Sequence, residues 1–97
     1  MEVLRTTFED PVFRYTQMER RGLLAIYSQT HKASSVRRYE LIMIQQKAAH
    51  TWPTGDTTPA HEAYPSARQL GQYGWTFFTE AAARVALGQH QLRSRSG

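Results

Sequence analysis

Ninety-seven residues can close one hydrophobic core but not two, so a single domain spanning 1–97 is expected. With 40% hydrophobic and 11% aromatic residues the chain is too apolar to be disordered, and with no cysteine it has neither a disulfide framework nor a thiolate metal site. The formal charge of +4 and the pI near 9.9 permit nucleic acid as a partner without requiring it.

Met1–Thr6 carries an early acid and no apolar run of signal-peptide length, and no stretch of about 18 apolar residues occurs, so a soluble cytoplasmic protein without membrane contact is expected. Residues 1–10 and the tail 92–97, with Arg93 and Arg95, are expected to be flexible. From Pro11 to Gly22 the residues alternate in the strand period, Phe13, Tyr15 and Gln17 on one side and Val12, Arg14, Thr16 and Met18 on the other. The glycine suits a tight turn, and Leu23–Thr30 returns as the second strand of a hairpin.

Polar, small-residue-rich His31–Arg37 makes the next loop, and Arg38–Lys47 is the third strand. Its middle is apolar on both faces, the mark of a central strand covered on both sides or of one whose second face meets a partner. The stretch AHTWPTGDTTPAHEAYPS, residues 49–66, has turn composition at Pro53–Asp56, and a projecting hairpin with Trp52 beside the turn is expected. His50 and His61 would then roughly face each other.

Ser66 suits the start of a short helical turn through Ala67–Leu70, which Gly71 and Gly74 would end by tolerating positive φ. Trp75–Phe78 reads as a short aromatic strand. Thr79 is a good N-cap for an alanine-rich helix, Glu80–Leu87, with Gly88 at its end. Ala82, Val85 and Ala86, with Leu87 beside them, are the positions expected to lie on the sheet. The fold class is α+β: an antiparallel sheet of about four strands with the C-terminal helix packed on one face.

Candidate chemistry is sparse. His50, His61 and Glu62 supply imidazole and carboxylate of the kind that holds zinc, but HExxH spacing is lacking, and exposed hairpin residues without a metal are expected. His31 and His50 fall at opposite ends of the sheet and His90 lies near the tail, so no acid-base pair forms. No GxSxG motif, phosphate-binding glycine loop or cysteine nucleophile occurs either. No enzyme activity and no cofactor are expected.

Two binding readings remain. Arg20, Arg21 and Lys47 cluster at one sheet end and Lys32, Arg37 and Arg38 at the other, where they would meet phosphates while Tyr15, Tyr27 or Trp52 stack on bases. Alternatively, a sheet half covered by one small-residue helix leaves apolar surface for a protein partner or a second copy, with Tyr27, Ile42, Ile44 and Trp52, and also Phe13 and Leu23, as contacts. The second reading is preferred: a small noncatalytic binding module for protein-protein interaction or self-association.

Tyr64-Pro65-Ser66 followed by Gly71-Gln72-Tyr73-Gly74-Trp75-Thr76-Phe77-Phe78-Thr79 and an alanine-bearing helix is similar to the ends of small uncharacterised bacterial, phage or plasmid proteins, over about residues 38–87. The resemblance implies an accessory role in a phage or mobile element. The order of strand, Trp/Gly turn and closing helix also resembles WGR domains, which bind DNA ends, although Gly74-Trp75 stands here in place of Trp-Gly-Arg.

Overall fold

A computed structural model of the chain describes residues 1–96, with side chains through Arg93. Alternation carries through β2 (Phe13–Arg21), and Gly22, with φ of 62°, is the first of two turn residues before β3 (Leu24–His31). Positive φ at that place is what a type II′ hairpin turn needs, and glycine adopts it without strain. A register shift between Gln17 and Glu19 interrupts the β2–β3 ladder, and Met18 packs against the core beneath the helix.

β4 (Arg37–Met43) pairs on the other side of β3, β9 (Gly74–Phe77) takes the far edge of β4, and β1 (Thr7–Glu9) adds to β2. The result is an antiparallel sheet in the order β1-β2-β3-β4-β9, with α1 (Glu80–Ser96) packed against β3, β4 and β9. The fifth strand comes from residues 1–10. It has three residues and one apolar side chain, Phe8, too short a pattern to read. The centre of the sheet is β3, with β4 beside it, and both are buried on both faces.

The expected third strand divides in two. Ile44 donates its N–H to Leu23 at the end of the β2–β3 hairpin, where the main sheet stops. Beyond it β5 (Gln45–Lys47) pairs with β8 (His61–Ala63), and β6 (His50–Thr51) with β7 (Thr57–Thr58). These four short strands form the hairpin arm of a flat molecule measuring 46 × 42 × 21 Å.

One core lies between sheet and helix: Leu24, Ile26 and Leu41 meet Ala83, Ala86 and Leu87, flanked by Trp75 and Phe77. Thr79 caps the helix, its Oγ1 accepting the Ala82 N–H at 3.2 Å. The buried stripe is Ala83, Ala86 and Leu87: Ala86 and Leu87 lie on the sheet as expected, whereas Ala83 takes the place of Ala82, and Ala82 and Val85 are exposed. Phe78 is likewise exposed. The helix also runs through Gly88, which costs about 1 kcal/mol relative to alanine, because the next turns keep contacting the sheet: His90 packs its ring 4.2 Å from Trp75, and Arg21 donates to Gln91. Leu92–Ser96 of the expected tail belongs to α1, and Gly97 lies outside the described residues.

The second core covers the opposite face, where Ala25, Tyr27, Ile42 and Ile44 lie beneath Leu4, Phe8, Tyr15 and Tyr64. Residues 1–10 therefore have partners: Glu2 exchanges backbone hydrogen bonds with Ala60 and Glu62, and Gln17 donates to the Thr6 carbonyl. The short helical turn is a 3-10 segment, Ala67–Gln69, after which Gly71 takes φ of 90°. Gly74 serves a different purpose from the expected one. It sits in β9 opposite Ile42, and a Cβ there would come within 2.9 Å of Leu70 Cδ2. Among the described residues no helix is long and apolar enough to cross a membrane.

Candidate functional site

Two places combine exposed or semi-enclosed aromatic groups with polar chemistry: the tip of the arm and a pocket on the sheet face opposite the helix. The arm is tied to the sheet by Arg20 of β2, whose Nη1 and Nη2 donate to Glu62 Oε1 and Oε2 of β8. Glu62 Oε1 also accepts the Leu4 N–H at 3.0 Å. The Arg20 hydrogen bonds, then the Leu4 N–H, hold the Glu62 carboxyl down at about 2. Glu62 is thus a half-buried structural anion, not the exposed hairpin residue its neighbours suggested, and Arg20 is committed to a carboxylate.

At the tip, Trp52 donates its N–H to Asp56 O and accepts from Gly55, whose φ is 92°. The Trp52 indole Nε1 donates to Thr58 Oγ1 at 2.9 Å, and the His50 ring meets it edge-on at 4.4 Å. The indole remains 51% exposed, so a large ring is both presented and held. His50 is opposite Thr58 and His61 opposite Lys47, so the two histidines do not face each other. With Glu62 turned to Arg20, the three sequence candidates for a metal do not converge, and among the described residues no other group of three His, Asp or Glu does.

The pocket, about 330 Å³, is lined by Asp10, Phe13, Tyr15, Gln29, Glu40, Tyr64 and a wall from Pro65 to Leu70. Strand parity brings these side chains together. Glu40 pairs with Tyr27 on β3 and with Thr76 on β9, and Tyr15 pairs with Gln29. Only 3% of Glu40 is exposed; its Oε1 accepts the Tyr64 hydroxyl at 2.8 Å. Burial pushes the Glu40 carboxyl above its ordinary value, against hydrogen bonds from Tyr64 and Thr76 and the nearby Arg38 charge. At the rim Tyr15 accepts from Gln29 Nε2 at 3.0 Å and donates to Asp10 Oδ2 at 3.4 Å. Asp10 Oδ1 is fixed in turn by the Phe13 and Val12 N–H groups, which lower its pKa.

The remaining sequence candidates sort by burial and pairing. Tyr27, Ile42 and Ile44 belong to this chain's own second core, so as contact residues they are corrected: the face expected to be open is roofed by Leu4, Phe8, Tyr15 and Tyr64. Trp52, Leu23 and, partly, Phe13 stay accessible. The basic residues do divide between the two ends. Arg21 pairs with Glu19 at 2.9 Å and Lys32 with Glu9 at 3.5 Å, whereas Arg37 donates to the neutral Thr30 hydroxyl, and Arg38 and Lys47 are exposed. Sequence reasoning missed Glu40. The available signal was a carboxylate set inside a strand apolar on both faces, Tyr39-Glu40-Leu41-Ile42, where burial of an ionisable group needs a reason.

Comparison with protein-family models, with curated proteins and with solved structures gave no match.

Proposed function

We propose that this chain is a small noncatalytic binding module that engages protein, in its simplest form a second copy of itself, through the tip of the hairpin arm. Trp52 carries the reading. A half-exposed indole fixed by its own hydrogen bond and by His50 loses little conformational freedom on docking, and Trp is the side chain most often found at the energetic centre of protein interfaces. The Arg20–Glu62 pair, holding the base of the arm, supports the same reading because a rigid arm meets a partner at less entropic cost. An accessory role in a phage or mobile element is the one that the sequence resemblance implies.

Trp52 is its own reporter once Trp75 is replaced. In the Trp75→Phe protein the emission should shift to the blue as protein concentration rises, since docking removes the indole from water. An emission maximum and sedimentation coefficient that both stay constant across that range would count against self-association.

One observation favours a second reading, nucleic-acid binding at the β3–β4 end alone. Arg37 and Arg38 are exposed there beside Lys32, while Arg20 and Arg21 at the other end are paired with carboxylates. Binding of this kind should weaken steeply as salt rises and be lost when Arg37 and Arg38 are both changed to Gln. No mobility shift of DNA or RNA at low salt and micromolar protein would sink it.

A further inference from the structure

We infer that the pocket between β2, β4 and the Tyr64–Leu70 segment is a receptor for an organic cation, an alkylammonium or guanidinium group. Its lining combines two carboxylates, Asp10 and Glu40, with three aromatic rings, Phe13, Tyr15 and Tyr64, and among the described residues includes no Lys, Arg or His. Aromatic rings attract cations through their negative faces, and the attraction grows when the cation is desolvated. A buried carboxylate beside them adds a charge partner that water screens weakly.

Packing alone does not call for this arrangement. Glu40 occupies a position on the second core's face where Tyr27, Ile42 and Ile44 show that apolar groups fit, and its charged form loses hydration there. Tyr64 and Thr76 satisfy part of the carboxylate and orient it, and the 3% of Glu40 that is not buried lies at the wall of the pocket it lines. At the rim, Asp10 and Gln29 fix the Tyr15 hydroxyl, and Phe13 lies 6.3 Å from the Tyr15 ring at 63°. The neighbouring cations do not fill the site: Lys32 reaches out to Glu9, and Arg38, exposed, is not part of the lining. The volume, about 330 Å³, suits the end of a basic side chain or a small free amine, and both carboxylates disfavour an anion. This inference is independent of the arm and stands or falls without it.

The test is a titration of the isotopically labelled full chain, followed by NMR at constant ionic strength, with butylammonium and butylguanidinium as probes and butanol and butanoate as controls. Saturable shifts should map to Asp10, Phe13, Tyr15, Gln29, Glu40 and Tyr64, with butanol weaker by about tenfold and butanoate silent. Glu40→Gln should remove that preference for the cation over butanol while the spectrum elsewhere stays unchanged. If that variant does not fold, Phe13→Leu, at the half-buried rim, should weaken the cations and leave butanoate silent. Nα-acetyl-lysine amide binding more tightly than butylammonium would mark a protein side chain as the source of the cation, and the reverse order a free amine. Equal binding of butanol and butylammonium, binding of butanoate, or no saturable shift in the pocket would overturn the inference.

Discussion

Arg20 and Glu62, 42 positions apart in sequence, meet in a two-pronged ion pair with both N–O distances 2.6 Å, and this pair holds the hairpin arm against the sheet. Because the Glu62 carboxyl is depressed to about 2 from 4.5, the native state binds fewer protons than the unfolded chain between those values. The stabilisation is therefore complete above about pH 4.5 and is lost as pH falls toward 2. Glu62→Gln should flatten the acid limb of a stability-versus-pH curve. Arg20→Ala, which strands a carboxylate only 7% exposed, should cost about 3 kcal/mol in urea unfolding at pH 7.

Glu40 behaves in the opposite sense. Its proton affinity is raised by burial, so between its ordinary value and its folded one the native state binds more protons than the unfolded chain, and stability falls as pH rises. Glu40→Gln keeps an oxygen for the Tyr64 hydroxyl and removes the charge. Its melting temperature should exceed that of the parent at pH 8, with the gap narrowing toward pH 4. A lower melting temperature for the variant at every pH would show that the carboxylate contributes to stability.

The helix phase gives a paired prediction. Leu87 is fully buried between helix and sheet, and Leu87→Ala should cost about 2–5 kcal/mol by opening a cavity. Val85 is 62% exposed, and Val85→Ala should change stability by less than about 0.5 kcal/mol. Chemical denaturation of the two variants, measured side by side, checks which face of α1 is buried.

How far the sequence could be read depended on the range of the signal. Strand alternation and the glycine at position 22 made the β2–β3 hairpin legible, Pro53–Asp56 announced the arm's turn, and Thr79 announced the helix start. Ala86 and Leu87 were read correctly, but the first turn of the helix face was misjudged because Ala81 to Ala83 are chemically alike, and only contact with Leu24, Ile26 and Leu41 selects Ala83. Expecting a stop at Gly88 failed for a similar reason, since His90 against Trp75 is a contact that no local pattern announces. Tyr27, Ile42 and Ile44 were correctly seen as a second apolar face, but its cover comes from Leu4, Phe8 and Tyr64, segments distant in the chain. The pocket is likewise assembled from four separated stretches, and Glu40 inside an apolar strand was its one visible trace.

Trp52 makes its hydrogen bond within an exposed tip, so Trp52→Ala should leave the melting temperature within about 2 °C of the parent. It should nevertheless abolish association, which separates a contact role from a folding role.

Sedimentation velocity over a concentration series, run on the parent and on Trp52→Ala, bears on the interaction role itself. The parent should move from monomer toward dimer as concentration rises, while the variant stays monomeric. A parent that sediments as a strict monomer throughout, or a variant that dimerises equally well, would contradict docking through the arm.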